Sequence, residues 1–324
     1  MKTKAIIGYH ASHEQFTPSE LLALSILAAQ AGFQAINCSD HFHPWSERQG
    51  QSGFSFAWLG AVMQATAVPC GLVCAPGQRY HPAIVAQAMA TLAEMFPERF
   101  WISLGSGEAL NERITGEKWP AKPERNARLL ECVDIIRRLL KGETVTHHGL
   151  VTVEEAKLYT RPEKPPLIIG AVVTEASAQW AGRWADGMIT INRPISQLRK
   201  MVDAFRSGGG EGKPLFLKVQ LSYARRLKEA EAGAHDQWRN NIFSGSVLAD
   251  LWKVEQFDAV GAMVQLEEMR TMVNISADLD EHRDFIQQYI DLGFERIFLH
   301  NVNREQESFI QAFGANVLPR LKTS

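Results

Sequence analysis

Eight times along the chain, a short run of apolar or β-branched residues bounded by turn formers is followed by a longer stretch with helical spacing. The first four pairs are "AIIGY" with "SELLALSILAAQAGF", "AINCS" with "FAWLGAVMQATA", "CGLVCA" with "HPAIVAQAMATLAEMF", and "FWISLGS" with "ERNARLLECVDIIRRLLKG". "LIIGAV" with "EASAQWAGRWA", "MITIN" with "ISQLRKMVDAFRS", "FLKVQLSY" with "KEAEAGAHDQWRNNIF", and "RIFLHNV" with "REQESFIQAFGANVLPRL" complete the set. The strand runs are near-continuously apolar, as a parallel sheet under a layer of helices requires. Eight such units predict a (β/α)8 TIM barrel. An open doubly wound sheet is the alternative, and two irregular inserts suit it less well. These are "ETVTHHGLVTVEEAKLYTRPEKPP", which reads as a hairpin before the fifth strand, and a segment from about Phe243 to Asp280 before the eighth.

At 324 residues the chain could hold one barrel or two smaller domains. Its one Gly-rich connector, "RSGGGEGKP", is short and no charge blocks divide it, so a single domain over residues 1–324 is expected. A net charge of −2 gives no electrostatic footprint for nucleic acid or an anionic membrane. The N-terminal apolar run is broken by Gly8 and His10, too short for a signal core, and no run reaches the length of a membrane span. A cytoplasmic location is therefore expected. Cys38, Cys70, Cys74 and Cys132 form no C-x-x-C pair and read as reduced, packed thiols.

In a barrel the loops after the C-terminal strand ends build the site. "SDHFHPW" places Asp40, His41, His43 and Trp45 after the second strand. Other strand ends bring His10, His13 and Glu14, then Arg79, Glu108 with Asn111, Asn192 with Arg193, and His300. No Ser or Cys nucleophile motif accompanies them, so proton or hydride transfer is expected. His41 follows an acid at a strand end and suits proton transfer near neutral pH. Glu108, between Gly107 and Ala109, should project into the cavity. His13 and His43 read as solvated loop histidines, His300 suits a strand-end cap as well as a functional role, and Trp58 reads as helix packing. "GSGEALNE" lacks the dinucleotide spacing because Leu110 stands where the third glycine would be. His147 and His148 fall in the hairpin insert, and no metal site is expected.

The segments "GYHASHEQF", "SDHFHPW", "RYHPAIVAQA", "GSGEALNE" and "FLHNVNREQESFIQAFGANVLPRL" resemble the bacterial luciferase-like superfamily. Within it the chain resembles the F420-dependent glucose-6-phosphate dehydrogenase branch and, through "SDHFHPWSERQGQSGF", a neighbouring subgroup of non-F420 flavinoid oxidoreductases. The resemblance implies hydride transfer between coenzyme F420 or FMN, lying over the strand ends, and a small alcohol or sugar-like substrate. By its motifs His41 is the base, Trp45 orients substrate, Glu108 protonates the cofactor and Glu14 is a second substrate-side acid. It further implies cofactor contacts from Asp40, Leu72, Val73, Asn111, Gly170, Ala171 and Val172, with a non-proline cis peptide at Leu72–Val73. Arg193 and Arg270 align with its basic substrate residues. Val172 and Val173 stand where the dehydrogenase branch has glycines and His43 where it has glutamine, which keeps FMN beside F420. A reduced-FMN-dependent two-component monooxygenase, partnered by a flavin reductase, and a flavin binder without catalysis are the other functions the resemblance allows. A homodimer through the helices after the second and third strands is also implied.

Overall fold

The strand and helix runs alternate as expected in the computed structural model, which describes residues 4–243 and 245–323. The remaining positions of the expected 1–324 domain lie outside the described residues. The barrel strands are β1 (Ile6–Ala11), β2 (Ile36–Ser39), β3 (Cys70–Cys74), β4 (Phe100–Leu104), β5 (Ile168–Ala171), β6 (Gly187–Ile191), β7 (Leu215–Tyr223) and β8 (Arg296–Asn301). Each runs parallel to its neighbours, and β6 pairs with β7 from Met188↔Leu215 to Ile191↔Lys218, closing the sheet into a barrel. The helices are α1 (Pro18–Gln30), α2 (Ser55–Ala65), α3 (Pro82–Met95), α4 (Lys122–Lys141), α5 (Glu175–Gly182) and α6 (Ile195–Phe205), then α7 (Leu227–Trp238), α8 (Leu279–Leu292) and α9 (Gln306–Asn316).

Local chemistry sets several boundaries. The Thr17 hydroxyl accepts from the Glu20 amide at 3.3 Å and Pro18 occupies the first turn of α1. Gly142, at φ +91°, ends α4 by donating to the Leu139 carbonyl at 2.9 Å, a left-handed turn that a side chain would resist. The insert before β5 is the expected hairpin, Val145–His148 against Thr152–Ala156.

One unit departs from the sequence reading. The helix between β7 and β8 that joins the barrel core is α8, through Ile286 and Tyr289, and not α7. The inward residues of α7 (Ala230, Ala234 and Trp238) pack with Val264, Met269 and Ile275 in a separate cluster. The insert therefore begins just after β7, and α7 with the short helices Gly245–Asp250, Val254–Gly261 and Leu266–Met269 belongs to it. Small side chains explain why α7 lies apart: a helix with mostly alanine on its buried face covers too little area to serve as a barrel wall.

The period of two along each strand sorts the barrel into layers. Ile7, Tyr9, Cys38, Leu72, Ile102, Leu217 and Leu299 face the helices. Trp101, Ile169, Ile189, Phe216 and Phe298 face inward and form an apolar floor, with the Trp101 ring 4.9 Å from Phe216. Gly71 is the register partner of Trp101, and a Cβ there would come within 1.9 Å of the indole. Two residues further along their strands, Asn37, Ser103, Lys218 and His300 continue the inward face, so the floor gives way to a polar layer toward the C-terminal ends. His10 joins that layer, its ring 4.7 Å from His300 and its Nδ1 3.4 Å from the Asn37 amide.

Leu72 and Val73 lie in the regular ladder of β3, paired with Cys38 and Ser39 on one side and Ile102 and Ser103 on the other. No peptide bond among the described residues is cis. The cis bond implied at Leu72–Val73 is thus corrected: hydrogen bonding on both edges of β3 holds an extended trans chain there. No helix among the described residues is long and apolar enough to cross a membrane. The four cysteines are free and buried.

Candidate active site

The chain after β2 is fixed before any side chain reaches the mouth. The Asp40 amide donates to the Val73 carbonyl at 2.9 Å, and Arg79 Nη2 donates to both the Asp40 carbonyl (2.9 Å) and its carboxylate (2.8 Å). Glu112 holds the other side of Arg79, accepting from its backbone amide at 2.9 Å. Asn111 Oδ1 accepts from the amides of Phe42 (2.8 Å) and His43 (3.2 Å), and Ser52 Oγ donates to the His41 carbonyl at 2.7 Å. Asp40 and Asn111, both implied as cofactor contacts, therefore each use one side-chain oxygen to hold this loop, while Asp40 Oδ1 is buried without a partner.

His41 projects from that frame. Its Nδ1 is hydrogen-bonded to Glu14 Oε1, and Ser12 Oγ donates to the other Glu14 oxygen at 2.7 Å. Its Nε2 lies 3.9 Å from Glu108 Oε2, and its ring stands edge-on to Trp45 at 5.0 Å. Burial alone would raise the Glu14 carboxyl, but the His41 charge and the hydrogen bonds from His41 and Ser12 hold it well below the usual range. Burial would lower His41; the Glu14 charge and hydrogen bond, with the Glu108 charge, override this and lift it above 6.5, while Lys218 acts against them. The surrounding protein raises the Glu108 carboxyl against the pull of His41 and Lys218.

The roof comes from the insert. Phe257 packs 5.2 Å from Trp45, Asn240 Nδ2 donates to the Trp45 carbonyl at 3.0 Å, and Ser46 Oγ donates to Asp258 at 2.6 Å. Trp238 stands 4.7 Å from His300, whose Nε2 meets Gln15 Oε1 at 3.1 Å. Asn37 Oδ1, Ser103 Oγ, Gln220 Oε1 and His300 Nδ1 are buried without a partner, so the inner wall offers polar atoms for a bound ring.

The structure brings Glu14, His41 and Glu108 together, with Trp45 beside them. Val73 and Ala171 lie on inward positions of their strands, but Leu72 and Val172 face the helical layer. A Cβ at Gly170 would meet Ala181 of α5 at 2.9 Å. The period of two thus leaves Leu72, Gly170 and Val172 only their backbone to offer a cofactor. Arg193, half-buried just beyond β6, makes a 3.6 Å contact to Met272 Sδ, whereas Arg270 is committed to Glu231 (2.6 Å) and the Ile275 carbonyl (3.1 Å). His13 is not solvated: Trp58 closes over it at 4.8 Å, and burial lowers it to about 4. His43 is partly buried, with Nδ1 2.9 Å from the Leu110 carbonyl. Trp58 packs as expected, its Nε1 donating to the Pro18 carbonyl at 3.2 Å. Lys218 was missed, although a lone lysine at an inward position of the run "FLKVQLSY" was a legible signal. Among the described residues, no group of three or more His, Cys, Asp and Glu side chains is placed to hold a metal ion.

The family model described as "Luciferase-like monooxygenase" matches residues 3–296. The chain belongs to the luciferase-like family. This luciferase-like protein is 36% identical to an F420-dependent glucose-6-phosphate dehydrogenase of Microbacterium testaceum, over 97% of each chain. It is 36% identical to a dehydrogenase of the same name from Nakamurella multipartita, covering 97% of this chain and 96% of that one. A solved F420-dependent secondary alcohol dehydrogenase, in complex with an F420-acetone adduct, superposes with a TM-score of 0.90 at 28% identity, covering 98% of this chain and 99% of that one. The protein is an oxidoreductase of this family.

Proposed function

We propose that this protein is an F420-dependent dehydrogenase that oxidises a small alcohol or sugar-like hydroxyl, with His41 as the base. The observation that carries the proposal is the His41 imidazole held between Glu14 and Glu108 at the barrel mouth. The F420-dependent names of its relatives favour F420 over FMN, and the unpartnered polar atoms of Asn37, Ser103, Gln220 and His300 suit a polar ring system. When bound, F420 supplies the hydride acceptor.

The residues divide the remaining work. Glu14 accepts a hydrogen bond from the Nδ1–H of His41, which leaves Nε2 free to take the substrate hydroxyl proton, and the Glu14 charge stabilises the imidazolium that results. Glu108, with its carboxyl raised, can hold a proton and deliver it at the mouth. Trp45, clamped between His41 and Phe257, gives the substrate a rigid wall. Arg193 is the basic side chain available to an anionic substrate group. Residues 1–324 act as one domain, and the exposed apolar side chains of α2 and α3 pair two copies.

The test is to titrate the ligand-free protein with F420 and FMN by fluorescence, then assay F420 reduction with secondary alcohols and sugar phosphates. F420 should bind, and His41→Ala should retain that binding while losing turnover by about 100-fold or more. Unchanged turnover in His41→Ala removes the base assignment. Oxygen-dependent product from reduced FMN, with no F420 binding, replaces the dehydrogenase by the monooxygenase.

A further inference from the structure

Lys218 is the charge in this site to which the proposed reaction gives no role. Strand β7 sets its direction: Phe216, two residues before it, lies in the inward apolar floor. Its register partners are Ile191 on β6 and Phe298 on β8. Lys218 therefore points into the barrel where the floor meets the polar layer. Its Nζ lies 5.7 Å from the centre of the Trp238 ring, and it forms no hydrogen bond or ion pair among the described residues. Burial lowers its pKa, while the charges of Glu14 and Glu108 raise it.

The other groups around His41 are already balanced or neutral. Asp40 is paired with Arg79. His10 is lowered by burial and then by Lys218, His300 goes down to about 3 for the same two reasons, and burial takes His13 to about 4. Three charged side chains therefore act on His41: Glu14 from the β1 loop, Glu108 from the β4 loop and Lys218 from β7. The Glu14 carboxylate unopposed, joined by Glu108 whenever it has given up its proton, would hold the imidazole protonated, and a protonated imidazole has no lone pair with which to take a proton.

We propose that Lys218 is a positioning residue for proton transfer: its unpaired ammonium, reaching in from β7, offsets Glu14 and Glu108 and keeps His41 able to lose its proton in neutral solution. The proposal deepens the proposed function and rests, for its kinetic consequence, on His41 being the base. The electrostatic claim stands on the protein alone.

Lys218→Met removes the charge at similar length, Lys218→Gln removes it while keeping a polar tip, and Lys218→Arg keeps it. The His41 titration is followed by NMR of the imidazole signals in ligand-free protein, with His41→Ala giving the assignment, and by the pH dependence of kcat/KM. Lys218→Met and Lys218→Gln should move the His41 midpoint and the acid limb of kcat/KM to higher pH by about half a unit or more, and Lys218→Arg by much less. A His41 midpoint that stays in place in both neutral variants overturns the proposal. A midpoint that moves while kcat/KM keeps its acid limb sustains the charge assignment and refutes His41 as the base, so the two claims fail separately.

Discussion

Replacing Arg79 with alanine tests whether the frame behind His41 is held by charge. The Arg79 side chain, 7% exposed, lies between the carboxylates of Asp40 (0%) and Glu112 (3%), at 2.8 and 3.5 Å. Its removal leaves two buried acids without a cation, and breaking a buried pair in this way costs about 3–5 kcal/mol. For a chain of 324 residues the unfolding entropy is about 0.7 kcal/mol per degree, so Tm should fall by about 4–7 °C. The sign with pH follows from Glu112, which burial already raises above 4.5 against the pull of Arg79. Loss of Arg79 raises it further, and an acid raised on folding subtracts stability as pH climbs from its unfolded value through its folded one. The deficit of Arg79→Ala should therefore be full at pH 7 and smaller at pH 5. Calorimetric melts of both proteins at the two pH values measure this. A Tm within about 1 °C of the parent at pH 7, well short of the expected shift, would refute the reasoning, as would a loss that is the same at both pH values.

The apolar floor and the outer surface give two further expectations. Gly71→Ala places a Cβ against the Trp101 indole and should destabilise the barrel by about 1–3 kcal/mol or more, read as a lowered midpoint in urea, with Trp101→Phe in the same chain restoring part of the loss. Phe54, Ile84 and Met95 are 56%, 57% and 53% exposed and line an apolar groove of about 480 Å3 between α2 and α3; light scattering should find a dimer that Ile84→Asp converts to monomer.

The barrel was legible because its signal is repetitive. Eight apolar runs each bounded by turns need only local reading, and the rule that loops after C-terminal strand ends form the site then gathered Glu14, His41 and Glu108 from three separate segments. The same local reading failed for α7, which has a helical period but too little apolar area to cover a barrel, and for α8, whose Ile286 and Tyr289 do cover it. His13 shows the limit for single residues: the sequence places it in a loop, and only Trp58, 45 positions later, buries it.

The sequence by itself determined the architecture and the strand ends from which the reactive groups come, because strand and helix periods are properties of neighbouring residues. Tertiary structure alone decided which groups face one another. Closure of the ring through β6 and β7 turns Lys218 into the barrel, and the strand period turns Leu72 and Val172 to the outside. The protonation of His41 belongs to this second class, since it depends on burial and on charges more than 20 and up to about 180 positions away, whose energies are set by distance in space and not along the chain.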